Sequence, residues 1–217
     1  MGNSFFLVFE GLDGSGKTEV ARRLADILRS SFGDRVKHTY EPHNPSAAGD
    51  FIRQVLAKQI AVSSRTLALA YALNRADHNE RVIVPFLDGG DERVIICDRY
   101  YLSSLVYNTS PELPIEKVME LNASARRPDL TLFLDASEET CYQRMGARGG
   151  DRELFDDKLE EMRKRYAHAI AFLKDRGENI VTINADPGLL DVLNSIIDVL
   201  NAHSPDWLNV QPVSSLA

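Results

Sequence analysis

The first feature with recognisable chemistry is a glycine-rich segment at residues 11–18, whose sequence GLDGSGKT completes the pattern G-x-x-x-x-G-K-[ST]. Its glycines let backbone N–H groups converge on phosphate oxygens, and the start of a following helix adds a favourable dipole. Lys17 can neutralise the β- and γ-phosphate oxygens, and Thr18 can hold Mg²⁺. The pattern predicts nucleoside triphosphate binding, without separating a kinase from a GTPase or a motor. The residues predicted to hold the triphosphate are Gly11, Asp13, Gly14, Ser15, Gly16, Lys17 and Thr18.

A second feature is an acid followed by an arginine at residues 98–99, at the end of an apolar run. An acid that ends a buried strand beside a phosphate loop can hold Mg²⁺ through water, which makes Asp98 and Thr18 the candidate metal residues. Arg99 would lie at the carboxyl edge of the sheet, where ligands bind in open α/β folds, and its guanidinium suits a second phosphate. The alternative is an ion pair that only caps the strand.

A third feature is a run of arginines and glycines. Arg144, Arg148 and Arg152 recur every fourth residue, and three glycines interrupt them. Because glycine disfavours a stable helix, the segment is typical of a hinged lid, which we assign to about residues 144–155. Arginines on such a lid would neutralise charge and exclude water during phosphoryl transfer. A solvated charged loop is the alternative.

The elements that must position these residues are short apolar runs alternating with long amphipathic segments. Strands are predicted at residues 5–9, 36–40, 94–97, 130–134 and 180–183. Helices are predicted at about residues 17–31, 45–60, 64–88, 153–175 and 189–200. The alternation predicts an α/β, three-layer P-loop fold, with a parallel sheet of about five strands, helices on both faces and an arginine-rich lid. Residues 1–203 are assigned to a single domain, and residues 204–217 to a loosely packed tail.

Length and composition limit the class of protein. The 217 residues suffice for one α/β domain, and a net charge of −7 argues against a nucleic-acid-binding surface. The two cysteines have no metal-ligand spacing and suit a reducing compartment. No signal peptide is apparent, and no apolar run approaches the roughly 18 residues of a membrane helix. We therefore expect a cytoplasmic protein that binds neither membrane nor nucleic acid.

Taken together, the motifs resemble those of the thymidylate kinase family. The resemblance covers residues 5–185 and joins the phosphate loop to the ordered segments Glu41-Pro42, Ala72-Leu73-Asn74-Arg75, Asp98-Arg99-Tyr100 through Tyr107, Arg127-Pro128-Asp129-Leu130-Thr131 and the arginine-rich lid. It implies a core, an acceptor region and a lid. It also implies transfer of the ATP γ-phosphate to dTMP with Mg²⁺, in deoxynucleotide biosynthesis, by a homodimer.

The resemblance also implies roles for single residues. Asp13 would face the acceptor sugar and phosphate, and Arg99 would bind that phosphate. Tyr71 would stack on thymine, Arg75 would hydrogen-bond the base, and Tyr107 would lie under the deoxyribose and disfavour a 2′-hydroxyl. The substrate-binding residues it implies are Asp13, Pro42, Arg53, Tyr71, Arg75, Arg99, Ser103, Ser104, Tyr107 and Asn108.

The position of the catalytic arginine follows from the same resemblance. Family members whose phosphate loop lacks an arginine carry it in the lid, and residues 11–18 contain none. The candidates are therefore Arg148 and Arg152, with Arg144 stacking near adenine. The catalytic residues it implies are Asp13, Lys17, Arg99, Arg148 and Arg152.

Two observations leave alternatives open. Tyr71, Asn74, Arg75 and His78 share one face of the predicted helix at 64–88, which is a binding face or an ordinary solvated face. The chain also departs from the family pattern at His43-Asn44, at Asn108 and at Glu19. These departures keep open a deoxynucleoside monophosphate kinase of broader specificity, a nucleoside kinase and a non-catalytic nucleotide-binding module.

Overall fold

The fold is built around the apolar runs of the chain, in a computed structural model that describes residues 3–146 and 156–215. The strands are Phe5–Gly11 (β1), Val36–Tyr40 (β2), Val94–Asp98 (β3), Leu130–Asp135 (β4) and Ile180–Asn184 (β5). They form one parallel sheet in the order β2-β3-β1-β4-β5. Every residue of the central strand β1 is buried, as expected for a parallel sheet covered on both faces.

Helices cover the sheet. Their bounds are Lys17–Phe32 (α1), Ala47–Leu56 (α2), Ser64–His78 (α3), Val84–Asp88 (α4), Tyr101–Tyr107 (α5), Ile115–Leu121 (α6), Glu138–Gly146 (α7), Asp156–Lys174 (α8) and Leu189–His203 (α9). The α/β P-loop fold predicted from the sequence is confirmed, and the predicted strands coincide with the observed ones to within two residues. The short helices α5, α6 and α7 were not predicted.

The predicted helix at 64–88 is interrupted by a π-helical turn. The turn spans Asn79–Ile83 and joins α3 to α4, which ends at Asp88. The Asn79 side chain donates to the Arg75 carbonyl at 2.8 Å and accepts from the Tyr100 hydroxyl at 2.8 Å. The turn therefore fastens the end of α3 to the residue that follows Arg99.

The polar stripe on α3 faces inward. Asn74, Arg75 and His78 are at most 2% exposed, whereas Leu69 and Leu73 on the outer face are 47% and 63% exposed. A solvated face would show the opposite arrangement. These three polar side chains of α3 are thus available to a site, and the two leucines face outward.

The C-terminal segment is packed, in contrast to the loose tail predicted for residues 204–217. Leu208 is fully buried, and Val210 belongs to the same core. Two asparagines of α9 hold the segment: the Asn201 amide bonds both backbone groups of Val210, and Asn194 bonds both those of Val213. The sequence shows neither helical nor strand periodicity there because the segment is irregular, although it is packed against the core.

The sheet brings the predicted functional segments to one edge. The carboxyl ends of β1, β3 and β4 are adjacent, with Phe9 paired to Asp98 and Gly11 paired to Leu134. The phosphate loop, Asp98-Arg99 and the start of α7 all follow these ends. Within the described ranges, no helix combines the length and apolar character that crossing a membrane requires.

Candidate active site

The phosphate loop is shaped by glycines that no other residue could replace without strain. Gly14 has φ +85°, and a Cβ there would lie 2.6 Å from the Cys141 carbonyl oxygen. Gly16 has φ +90° and is the N-cap of α1, so the first free N–H groups of that helix follow the loop directly. This geometry suits a bound phosphate, because backbone donors and the helix dipole converge on one point.

Lys17 follows the loop on the first turn of α1. It is 7% exposed, and its Nζ donates to the Leu12 carbonyl at 3.2 Å and contacts Asp13 Oδ1 at 3.5 Å. Burial lowers the pKa of Lys17, and the nearby Arg99 lowers it further. An ammonium so placed is held over the loop, and an added phosphate would favour its charged form.

The acid predicted to hold a metal lies beside the threonine of the loop. Thr18 Oγ1 donates to Asp98 Oδ2 at 2.5 Å. The second oxygen, Asp98 Oδ1, is buried and has no hydrogen-bond partner among the described residues. An unsatisfied carboxylate oxygen beside a hydroxyl is a donor set that fits a hydrated Mg²⁺.

Arg99 adopts a left-handed backbone conformation, with φ +68°. Such a conformation costs a residue with a Cβ about 1–3 kcal/mol and marks functional sites when the surroundings enforce it. Here its N–H donates to the Phe9 carbonyl at 2.8 Å. The turn directs the guanidinium back to the phosphate loop, where Nη2 forms an ion pair with Asp13 and Nη1 donates to Ser103 Oγ at 2.9 Å.

A buried acid that the sequence analysis missed lies beneath this arginine. Glu10 is 0% exposed, and its carboxylate accepts from the N–H groups of Tyr100 and Ser103 at 2.8 and 3.0 Å and from Ser103 Oγ at 2.6 Å. Burial raises its pKa. Glu10 thereby satisfies the free donors at the start of α5. A charged residue inside an otherwise apolar strand was the signal that could have found it.

A first cavity of about 470 Å³ opens beside Asp13 and Arg99. The structure brings together nine of the ten residues predicted to bind the acceptor, which are Asp13, Pro42, Tyr71, Arg75, Arg99, Ser103, Ser104, Tyr107 and Asn108. The tenth, Arg53, does not line this cavity. It lies on α2, where its Nη2 donates to Asn44 Oδ1 at 2.7 Å and forms an ion pair with Asp50.

Arg75 is held from behind by a buried network. Glu41 Oε2 accepts from its Nε at 2.7 Å and forms an ion pair with Nη2 at 2.6 Å, and Nη1 donates to Ser104 Oγ at 2.9 Å and to Asn122 Oδ1. Among the described residues, hydrogen bonds to these partners use the Nε and Nη1 N–H groups of Arg75, and Nη2 contacts Glu41 as an ion pair. Arg75 also lines the cavity, so this network holds a guanidinium that a ligand can contact.

The network continues behind Glu41 into two histidines. Glu41 Oε1 lies 3.1 Å from His78 Nδ1, and His78 Nε2 lies 2.8 Å from Thr39 Oγ1. The His43 ring stacks on His78 with centroids 4.0 Å apart. His43, one of the departures from the family pattern, therefore packs behind the acceptor cavity as part of its support.

The two serines predicted to bind the substrate have partners in the supporting structure. Ser103 Oγ donates to Glu10 and accepts from Arg99. Ser104 Oγ accepts from Arg75. Both residues line the cavity, but their hydroxyls already form hydrogen bonds within the protein. Ser103 bonds Arg99 and Glu10, and Ser104 bonds Arg75.

A second cavity, of about 830 Å³, lies on the other side of Asp13. The residues predicted to bind ATP that line it are Asp13, Gly14, Ser15, Gly16, Lys17 and Thr18 of the loop, and Arg144, predicted near adenine. Gly11 does not line it and instead packs against Leu134. Arg144 donates to the Ser15 carbonyl at 3.1 Å and to the Ala185 carbonyl at 3.0 Å, which fixes α7 to the loop. The lid candidates Arg148 and Arg152 lie outside the described residues.

Asp13 lines both cavities, so the two sites meet at the phosphate loop. A loop with a triphosphate-type cavity on one side and an arginine-bearing cavity on the other defines a P-loop phosphotransferase whose two ligands both carry phosphate. The fold and the site therefore give the class of protein without reference to any relative.

Comparison with known proteins gives the particular family. The thymidylate kinase family model matches residues 9–196. The chain is 35% identical over 208 residues to the thymidylate kinase of Limosilactobacillus fermentum, covering 93% of this chain and 96% of that one. It is 32% identical over 198 residues to a protein of Pyrococcus horikoshii named probable thymidylate kinase, covering 89% and 94%. The chain belongs to the thymidylate kinase family, and the resemblance inferred from its motifs is confirmed.

A solved structure agrees with this assignment. The crystal structure of thymidylate kinase from Ehrlichia chaffeensis superposes with a TM-score of 0.69 at 25% sequence identity, covering 92% of this chain and 99% of that chain. The shared fold extends over nearly the whole of both chains.

Proposed function

We propose that the chain transfers the γ-phosphate of ATP to the 5′-phosphate of dTMP, giving dTDP and ADP for deoxynucleotide biosynthesis. The observation that carries the proposal is the meeting of the two cavities at Asp13, with Lys17 on the donor side and Arg99 on the acceptor side. Family membership supports the same reaction.

The residues would act by positioning and by electrostatic stabilisation. Lys17 and the loop N–H groups bind the donor phosphates, while Arg99 binds the acceptor phosphate and aligns it with the γ-phosphorus. The attacking phosphate oxygen is already largely ionised near neutral pH, so no general base is needed. Arg148 and Arg152 are assigned to charge neutralisation in the transition state on the sequence pattern alone.

Thr18 and Asp98 would hold Mg²⁺. The support is the buried, unpaired Asp98 Oδ1 beside the Thr18 hydroxyl. A bound Mg²⁺ neutralises charge on the β- and γ-phosphate oxygens.

The acceptor cavity suits a base with a carbonyl at its inner end. Arg75 offers only N–H donors and no acceptor atom, so it favours a carbonyl oxygen over an exocyclic amine. Tyr107 lines the same cavity and is 43% exposed, which suits contact with the sugar. The donor set of Arg75 favours thymine or uracil, which carry a carbonyl at position 4, over cytosine, which carries an amine there.

A coupled assay of ADP release tests the proposal, with Mg·ATP and a panel of dTMP, dUMP, dCMP, dGMP, UMP and thymidine. Turnover of dTMP well above the others is expected. Comparable turnover of several monophosphates would retain the kinase and discard the thymine selectivity. ATP binding without ADP release across the panel would overturn the enzymatic proposal.

We propose further that two copies associate through the outer face of α3. Leu69 and Leu73 lie one helical turn apart there and are 47% and 63% exposed. Sedimentation velocity of the wild type should give twice the monomer mass. The variant Leu73→Glu should sediment as a monomer with an unchanged circular dichroism spectrum, and a wild-type monomer at all concentrations would refute the assignment.

A further inference from the structure

Tyr166 places a buried hydroxyl group in the candidate active site, and no sequence motif predicted it there. It lies on α8, is 0% exposed, and reaches the phosphate loop from below. Its hydroxyl lies 3.2 Å from Arg99 Nη1, 3.2 Å from the Gly11 carbonyl and 3.4 Å from Glu10 Oε2. A buried polar group without a hydrogen-bond partner costs free energy. The bonds of this hydroxyl therefore favour the one position in which it and its neighbours are all satisfied.

The ring of Tyr166 is fixed by its packing. It lies against Phe133 with centroids 4.9 Å apart and makes an edge contact with Tyr107 at 6.2 Å. A phenol ring held on two sides has little freedom to redirect its oxygen. The hydroxyl is therefore a fixed point against which a flexible side chain can be oriented.

That flexible side chain is Arg99. The Tyr166 hydroxyl has one proton, which it donates to the Gly11 carbonyl or to Glu10, and it accepts from Arg99 Nη1. Nη1 also donates to Ser103 Oγ at 2.9 Å, so both of its N–H groups are occupied on the inner side. Nη2 is left on the outer side, where it pairs with the exposed carboxylate of Asp13.

We infer that Tyr166 is a positioning residue, which orients Arg99 through its hydroxyl so that Nη2 is presented to the acceptor phosphate. The inference rests on the proposed function, in which Arg99 binds that phosphate. Without the hydroxyl, one N–H of Nη1 loses its partner and the guanidinium can rotate away from the orientation that meets the phosphate. Tyr166 itself would touch neither substrate.

The chain offers a matched control. Tyr101 is also buried, at 2% exposed, and its hydroxyl donates to Glu178 Oε1 at 2.8 Å. Tyr101→Phe removes a buried phenol hydroxyl bonded to a carboxylate that is not in the acceptor cavity. Tyr166→Phe removes the one that bonds Arg99. Any general effect of losing a buried hydroxyl should appear in both variants, and thermal melting of both checks that each still folds.

Calorimetric titration with dTMP and with thymidine separates positioning from general damage, because thymidine has the same base and sugar but no phosphate. For Tyr166→Phe we expect about tenfold weaker binding of dTMP, with thymidine binding unchanged, since a hydrogen bond to a charged group is lost. Tyr101→Phe should bind both ligands as the wild type does. Equal loss for dTMP and thymidine, or no loss for either, would overturn the inference.

Steady-state kinetics keep this result distinct from the function itself. Tyr166→Phe should raise KM for dTMP and lower kcat while leaving KM for ATP near the wild-type value. If wild-type protein fails to phosphorylate dTMP, the proposed function falls. If the wild type is active and Tyr166→Phe matches Tyr101→Phe in every parameter, the positioning role falls alone.

Discussion

The buried ion pair between Glu41 and Arg75 offers a test of how the acceptor cavity is held together. Both side chains are 3% exposed, and their closest atoms are 2.6 Å apart. Glu41→Gln keeps the shape of the side chain and removes its charge. Its amide oxygen can still accept one bond from Arg75. The amide nitrogen is a donor, so it cannot bond Arg75 and bonds His78 only when Nδ1 of that ring carries no proton.

The expected loss of stability follows from the burial of both groups. Removing one member of a buried pair leaves the other charge uncompensated and costs about 3–5 kcal/mol, and the retained hydrogen bond puts this change near about 3 kcal/mol. For a chain of this size each kcal/mol corresponds to about 2–4 °C, so the melting temperature should fall by about 6–12 °C. Because Arg75 is then free to reorient, KM for dTMP should also rise.

The matched control is Glu120→Gln, which breaks a surface pair with Lys117 whose side chains are about 60% exposed. Surface pairs contribute little, so its melting temperature should move by less than about 2 °C. Thermal unfolding followed by circular dichroism measures both variants under the same conditions. Equal melting temperatures for the two variants would refute the argument that Arg75 is costly to bury without the counter-charge of Glu41.

Three further changes have outcomes set by the geometry. Gly14→Ala places a Cβ 2.6 Å from the Cys141 carbonyl at φ +85° and should weaken ATP binding about tenfold by calorimetry; unchanged affinity would contradict the strain. Asp98→Asn removes the charge beside Thr18 and should raise the Mg²⁺ concentration for half-maximal activity at least about tenfold, whereas an unchanged Mg²⁺ dependence would argue against a metal there. Deleting residues 204–217 removes the buried Leu208 and should lower the melting temperature by several degrees, a loss that a freely solvated tail would not cause.

The sheet could be predicted from sequence because its signal is local. Each strand is a short apolar run bounded by polar or glycine-rich turns, and the alternation with amphipathic helices fixes the parallel class. The three missed helices carry weaker signals. α5 and α6 each have seven residues, too few for the apolar period to stand out, and α7 leads into the arginine-rich run that hid its pattern.

The same distinction applies to the candidate site. The phosphate loop and Asp98-Arg99 were found because their functional groups are contiguous in the chain. Glu10 and Tyr166 were not, because their roles depend on partners up to 156 positions away in the sequence. Only the folded sheet shows that an acid on β1 and a phenol on α8 meet beneath one arginine.

The two arginines of the acceptor cavity are both held by buried polar groups. Arg75 is backed by the carboxylate of Glu41, and Arg99 by hydroxyl groups that lead to the carboxylate of Glu10. Arg75 commits Nε and Nη1 to groups behind the lining, and Arg99 commits Nη1. An arginine already ordered in this way loses little conformational freedom when a ligand arrives, and more of the contact energy then contributes to affinity. Substitutions behind the lining should therefore change acceptor binding without touching the acceptor.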